Sequence, residues 1–302
     1  MKLLIILFLF MNIFLLGESN MKFNKLSDFE RSVIENKATE PPYTNEYYEH
    51  FEKGIYKCKR CNAPLFASQS KFHSGSGWPS FDEAILYSVE EYPDKDGKRT
   101  EVVCANCKAH LGHIFKGEKF TDKNVRYCIN SASLDFVPYE KLKKAYFAGG
   151  CFWGVEYYLQ QKRGVISVEN GYMGGNVPNP TYNEVCNGNT GHLETVEVLY
   201  YPEFVSYEEL AKLFFEIHDP TQKNGQGPDI GTQYLSAIFY NDQNEKEIIE
   251  KLITILKNKG LNVVTLVLSA KNKPFYKAEK YHQDYYFKNH KVPYCHSYKK
   301  RF

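Results

Sequence analysis

Three cysteine placements in this 302-residue chain could do chemistry. The first is Gly150-Cys151-Phe152-Trp153-Gly154, which follows Ala145-Tyr146-Phe147-Ala148-Gly149 and precedes Val155-Glu156-Tyr157-Tyr158-Leu159. That order reads as strand, tight glycine turn, helix, with the thiol near the helix N-terminus. Unpaired N–H groups and the helix dipole favour thiolate there, so one reading is a low-pKa nucleophile. The other is a cysteine buried in an aromatic core. The second placement is a pair of knuckles, Cys58-x-x-Cys61 and Cys104-x-x-Cys107. Four thiolates are the donor set of a closed structural zinc site. Redox C-x-x-C motifs, or disulfides in an exported chain, are the other readings. The third is Cys128, in Arg126-Tyr127-Cys128-Ile129-Asn130. On a strand, Arg126 and Asn130 share the face of Cys128, and the guanidinium can stabilise a thiolate. His110 and His113 could supply protons and, spaced by three, share a turn. Either could equally be structural or bind metal. Trp78, in Gly77-Trp78-Pro79-Ser80-Phe81, is core or a substrate wall.

The elements that must position these residues differ in kind along the chain. From Gly54 to Phe136, short apolar and alternating runs are punctuated by glycine and proline, a mostly-β pattern. Ser27-Asp28-Phe29-Glu30 opens a short helix ahead of it. The second half alternates strands and helices, an α/β or α+β pattern. Leu193–Tyr200, Tyr234–Tyr240 and Leu261–Ser269 read as strands. Ser206 to Glu209 forms a capping box ahead of an amphipathic helix. Glu245–Lys259 is a second one, with Ile248, Ile249, Leu252, Ile253 and Leu256 inward and Gly260 as its stop. The fold expectation is therefore two domains, residues 21–138 and 145–302, joined by a linker at 139–144.

Composition narrows the class. Formal net charge is +2 with both signs interspersed and no basic stripe, which gives no support for nucleic-acid binding. Eight cysteines are too few for a disulfide scaffold. Residues 1–20 carry Lys2 and an apolar run from Leu3 to Leu16 broken by Asn12, then Gly17 and Ser19. This pattern reads as a signal peptide or membrane anchor and directs the chain to the cell envelope or periplasm. The alternative is a cytoplasmic protein starting at Met21.

The two knuckles, Ser74-Gly75-Ser76-Gly77-Trp78-Pro79-Ser80-Phe81, His110-Leu111-Gly112-His113-Ile114-Phe115 and Arg126-Tyr127-Cys128-Ile129-Asn130 together resemble methionine sulfoxide reductase B over residues 21–138. The segment from 145 to 302, with Gly150-Cys151-Phe152-Trp153-Gly154, resembles methionine sulfoxide reductase A. The chain thus looks like a B–A fusion. The resemblance implies a zinc-stapled, mostly-β sandwich followed by an α/β two-layer sandwich. It also implies reduction of methionine sulfoxide, free and in oxidised proteins, with the S epimer taken by the second domain and the R epimer by the first.

In the A-like half the resemblance makes Cys151 the nucleophile, and Phe152 and Trp153 the contacts to the substrate methyl group. Glu194 becomes the acid, and Tyr182 and Tyr234 donors to the sulfoxide oxygen, with Asp229 nearby. Cys295 becomes the resolving thiol that condenses with a sulfenic acid on Cys151, and a thioredoxin-type reductant follows. Cys186 is read as structural. In the B-like half the resemblance makes Cys128 the nucleophile and Trp78 the methyl contact. His110, His113 and Asn130 serve the oxygen and the proton, Arg126 the thiolate. One zinc ion on Cys58, Cys61, Cys104 and Cys107 is implied, with no organic cofactor. Two departures stand out. Ser76 occupies the usual resolving-cysteine position, and Gly117 replaces an acidic residue, leaving Glu118 as the nearest carboxylate.

Overall fold

The computed structural model describes residues 22–302, and the leader expected at residues 1–20 lies outside them. Among the described residues no helix is long and apolar enough to cross a membrane. Helix α1 (Asp28–Ile34) opens at Ser27. The Ser27 hydroxyl accepts the Glu30 N–H while the Glu30 carboxylate accepts the Ser27 N–H, so two otherwise orphaned donors are satisfied. Strands β1 (Gly54–Cys58), β2 (Pro64–Ala67), β3 (Lys71–Phe72), β4 (Ser80–Phe81), β5 (Val89–Pro93), β6 (Thr100–Cys104), β7 (His110–Lys116), β8 (Val125–Ile129) and β9 (Leu134–Pro138) follow. They form two antiparallel sheets, ordered β2-β1-β9 and β3-β4-β8-β7-β6-β5. Tyr56, Phe66, Phe81, Val102, Leu111 and Ile129 fill a shared core. Phe66 of one sheet stacks on Phe81 of the other at 4.4 Å, a pair contributing about 1 kcal/mol beyond its buried area.

Residues 139–141 make a single 3-10 turn, and the next strand begins at Lys143. The second region contains β10 (Lys143–Gly149), α2 (Phe152–Leu159), β11 (Val165–Met173), α3 (Tyr182–Cys186), β12 (Leu193–Tyr200) and α4 (Tyr207–Ile217). It continues with β13 (Gly225–Gln226), β14 (Asp229–Ile230), β15 (Ser236–Tyr240), α5 (Gln243–Asn258), β16 (Leu266–Ser269), β17 (Tyr276–Lys277) and α6 (Tyr285–Lys288). Six of these strands form a mixed sheet, β16-β15-β10-β12-β11-β17, in which only β15 and β16 run parallel. Helix α5 makes the crossover that a parallel pair requires. Helices α2, α4 and α5 bury Val155, Leu159, Leu210, Phe214, Ile249 and Leu252 against Phe147, Val196 and Val198 of the sheet. The capping box at Ser206 is present as read from sequence.

The strand expected over Leu261–Ser269 is shorter. Gly260 ends α5 with φ of +87°, and Val264 donates its N–H to Pro220 rather than to β15. Only Leu266–Ser269 pairs, at the sheet edge, and it is partly exposed. The two regions touch through Ile55 and Val137 on one side and Tyr201 on the other, with Ile166 and Phe204 packed around them. Arg163 donates to Asn106 Oδ1 at 2.9 Å across the same boundary.

Candidate active sites and metal centre

Each C-x-x-C knuckle is built the same way. Cys58 and Cys104 end strands β1 and β6. Cys58 N–H reaches the Ala63 carbonyl at 2.8 Å, and Cys104 N–H reaches Ala109 at 2.9 Å. Asn62 and Lys108, each following the second cysteine, adopt φ of +63° and +62°, which turns the chain back. The four Sγ atoms lie within 4.8 Å of one another. Cys58 to Cys107 and Cys61 to Cys104 are both 3.7 Å apart. A tetrahedron with Zn–S of about 2.3 Å has edges of about 3.8 Å, so the residues fit a zinc ion. Disulfides would require about 2.05 Å.

Cys128 sits on β8, with Ser80 of β4 on one side and His113 of β7 on the other. A cavity of about 110 Å³ gathers Cys128, Trp78, His113 and Asn130 with Thr39, Arg99, Gly112 and Phe115. His110 and His113 do not share a helical turn. A spacing of three on a regular strand would put them on opposite faces. A bulge where Val102/Val103 meet Gly112/His110 restores them to one face, with rings 5.6 Å apart. Gly112 permits the bulge, since its φ is +156° and a Cβ there would lie 2.1 Å from the Cys128 carbonyl oxygen. His113 Nε2 donates to Asp94 at 2.5 Å. His110 stands behind the cavity wall, donating from Nδ1 to Glu101 at 2.7 Å while its buried Nε2 has no partner among the described residues. Asn130 is held from both ends, accepting from Glu40 N–H and donating to the Leu111 carbonyl. Trp78 is fixed by its indole N–H on the Glu40 carbonyl at 3.1 Å.

Arg126 lies beside the thiol outside the cavity lining, and Glu118 grips it with two bonds of 2.7 and 3.0 Å. Gly117 carries no side chain, and its neighbour Glu118 is the carboxylate paired with Arg126. Burial raises the Cys128 thiol; the Arg126 charge and contacts from Ser76 and Arg126 oppose it. Ser76 in turn shares a hydroxyl chain with Ser74 and Ser80.

Cys151 is the N-cap of α2, reached through Gly150 at φ of +95°. The flanking glycines are required by close neighbours. A Cβ on Gly150 would sit 2.3 Å from Gln226, and one on Gly154 would sit 2.1 Å from His296 Nδ1. The expected low pKa is not found. The contact with Cys295, burial and the nearby Glu194 carboxyl raise the Cys151 thiol, outweighing the Trp153 N–H at the helix entry. Contacts with Cys151 and His296 pull Cys295 the other way. Both thiols are buried, Cys151 at 7% and Cys295 at 8% exposure.

Glu194, on β12, is 1% exposed, and its carboxyl is pushed up to about 8 by burial. It is therefore a neutral acid near pH 7. It accepts the Phe152 N–H at 3.0 Å, which sets it beside the helix entry. Tyr182 at the start of α3 and Tyr234 after β14 lie close to it. Cys186 contacts the Tyr182 hydroxyl. Phe152 is wholly buried against Tyr172 and His282. Trp153 is half-buried, stacked 3.7 Å from Tyr285, with its indole N–H on His282 Nδ1 at 3.1 Å. A groove of about 530 Å³ runs past it, lined by Tyr285, Tyr286, His290, Lys291, Val292 and Tyr294. Asp229 accepts the Tyr294 hydroxyl at 2.9 Å and so ties the C-terminal segment over Cys151.

Sequence reasoning missed Tyr294, His296, His282, Asp94, Glu101 and Glu40. Tyr294 and His296, on either side of the singled-out Cys295, carried a local signal. The others act across long sequence separations.

Residues 143–302, more than half of the chain, match the family model described as peptide methionine sulfoxide reductase. Residues 26–138 match the SelR domain. The chain is similar to peptide methionine sulfoxide reductase MsrA of Nautilia profundicola, 53% identical over 157 residues, covering 51% of this chain and 88% of the relative. It is also similar to MsrA of Sulfolobus acidocaldarius, 46% identical over 155 residues, covering 51% and 87%. Among solved structures, reduced Mxr1 from Saccharomyces cerevisiae matches at 34% identity and a TM-score of 0.49, covering 54% of this chain and 94% of that one. With a SelR domain ahead of a fully matched second region, this chain belongs to the peptide methionine sulfoxide reductase family.

Proposed function

We propose that the chain reduces methionine sulfoxide at two sites, the S epimer at Cys151 and the R epimer at Cys128. Membership of the family and the SelR domain support the reductase activity on both epimers. The observation that carries the Cys151 site is a thiol at a helix entry facing a buried carboxyl that keeps its proton to about pH 8. A sulfoxide oxygen needs a proton and donors before sulfur can release it. Glu194 supplies the proton; Tyr182 and Tyr234 donate to the oxygen. Trp153, backed by Phe152, contacts the methyl group. Asp229 acts through Tyr294. Cys151 attacks sulfur, the thioether leaves as methionine, and the oxygen stays on Cys151 as sulfenic acid. Cys295 then closes a disulfide, which a thioredoxin-type protein reduces.

At Cys128, His113 is the proton source facing the cavity, and His110 and Asn130 support it. Trp78 is the methyl wall, and Arg126, held by Glu118, is the cation beside the thiolate. Since Ser76 carries no thiol, the oxidised Cys128 is reduced directly or by a thiol from elsewhere. The zinc ion on Cys58, Cys61, Cys104 and Cys107 would fix the β1–β2 and β6–β7 turns and do no redox chemistry. The leader reading sends the protein to the cell envelope, where its reductant would be a thioredoxin-like protein of that compartment. N-terminal sequencing of fractionated protein tests this, and a cytosolic chain starting at Met21 would refute it.

The decisive assay couples dithiothreitol or thioredoxin to separate R and S epimers, for the wild type, Cys151→Ser and Cys128→Ser. Each substitution should abolish one epimer and leave the other. Loss of both epimers through one substitution sinks the two-site account.

A further inference from the structure

Cys295 and His296 sit together beneath the entry of α2, and the imidazole is fixed in one tautomer. His296 Nε2 lies 2.7 Å from the Gly149 carbonyl oxygen, which can only accept, so Nε2 carries the proton. Nδ1 then presents a lone pair, 3.1 Å from Cys295 Sγ. The ring is 4% exposed, and α2 makes room for it only because residue 154 is glycine. The tail beyond it is pinned to the end of α4. Ser297 N–H reaches the Ile217 carbonyl at 3.2 Å, and Lys299 N–H reaches Glu216 at 2.7 Å. The Arg301 guanidinium bonds the Phe215 and His218 carbonyls. These contacts satisfy helix-end carbonyls that would otherwise be orphaned, and they hold His296 in place.

We propose that His296 is the base that activates Cys295 in the resolving step. This rests on the reading of Cys295 as the resolving thiol. His296 Nδ1 takes the Cys295 S–H proton, and the Cys295 sulfur attacks the sulfenic sulfur on Cys151. The S–S bond forms as the S–O bond breaks. The departing hydroxide takes the proton from the imidazolium and leaves as water. Cys295 sulfur is oxidised and Cys151 sulfur reduced, with no other reactant. A thiol attacks only as thiolate, so a neighbouring base accelerates this step without touching the sulfoxide step.

The test uses the full chain without reductant, mixed with the S epimer of a blocked methionine sulfoxide. Methionine and the Cys151–Cys295 disulfide are quantified over time. His296→Gln keeps a donor to Gly149 but no basic nitrogen; His296→Asn keeps an acceptor beside Cys295 but no basic nitrogen. Both should form methionine within about two-fold of wild type, while the disulfide forms about 10²-fold more slowly at pH 7. Dimedone should trap the sulfenic acid in both. The groups facing the pair are Asp229 and Tyr294 beside Cys295, Glu194 and Cys151 at the helix entry, Tyr286, and His218 behind Gly149. All are shared with wild type, so the rate ratio isolates His296. That ratio should shrink toward one as pH rises and Cys295 ionises unaided. A deficit equal at every pH, an equal loss of methionine formation, or wild-type disulfide rates in His296→Asn would each overturn the proposal. Cys295→Ser checks the underlying reading separately: it should accumulate sulfenic acid on Cys151. A Cys151 disulfide to another thiol in that variant would remove the resolving role of Cys295, and that of His296 with it.

Discussion

Glu194 and Phe152 are joined by one bond, the Phe152 N–H to the Glu194 carboxyl at 3.0 Å. It places a fully buried acid one residue from Cys151, at the end of the helix where N–H groups are unpaired. Burial and that bond act in opposite directions on the carboxyl. Burial wins, and the proton is held to about pH 8. The contact with Cys295 and the same burial raise Cys151, so the acid is ready and the thiol is not ionised in advance.

Glu194→Gln should lower methionine formation from the S epimer about 10²–10³-fold, because an amide donates a hydrogen bond but not a proton. The wild-type rate constant for this step should fall as pH passes about 8, where the acid form is lost. The variant should lack that fall. Single-turnover rates from pH 6 to 9 check both points; a variant that keeps the wild-type profile would rule Glu194 out as the acid.

Ser76→Cys places a thiol where the Ser76 hydroxyl now touches Cys128. A disulfide to Cys128 should form after one turnover with the R epimer, and thioredoxin-supported turnover should rise about ten-fold or more. Peptide mapping of the oxidised variant reads the disulfide directly. Absence of that disulfide would mean the loop carrying position 76 cannot bring a thiol to bonding distance.

Removing zinc should unfold the first region and spare the second. Structural zinc contributes about 10 kcal/mol or more to folding of small domains. The two regions have separate main cores. Chelation, or Cys58→Ser, should abolish R-epimer reduction and leave S-epimer reduction within about two-fold. Metal analysis of fresh reduced protein should give about one zinc per chain.

Glu156 offers a stability test away from both thiols. It is 1% exposed, accepts the Asp284 N–H at 2.9 Å, and burial pushes its carboxyl up to about 8. Its ordinary value is 4.5. Between these values the folded chain binds a proton that the unfolded chain has lost, so this group's contribution to stability declines as pH rises from about 4.5 to about 8. Glu156→Gln keeps an acceptor for Asp284 and removes the titration. It should stabilise the second region by about 3 kcal/mol at pH 7, at 1.36 kcal/mol per pKa unit over the 2.5 units from 4.5 to 7, and by under about 1 kcal/mol at pH 5. Denaturant unfolding at the two pH values measures the difference.

Much of this protein was legible in one dimension. The C-x-x-C spacings carry their own local geometry, because a knuckle is a turn closed by bonds within six residues. The strand–turn–helix around Cys151 and the capping boxes at Ser27 and Ser206 are likewise short-range, set by glycine freedom and by side chains bonding backbone three residues away. Tertiary structure decided what depends on burial and on partners far along the chain. The low pKa expected for Cys151 was a local inference from a helix dipole. Cys295 from the tail, desolvation and Glu194 from a neighbouring strand overrode it. His110 and His113 share a face only because a bulge opposite β6 absorbs one residue, which no spacing rule reveals. His296 gains a fixed tautomer from a carbonyl 147 residues away. Local sequence determines which backbone shapes are open to the chain; only the closed fold determines which charges lose water and which groups meet.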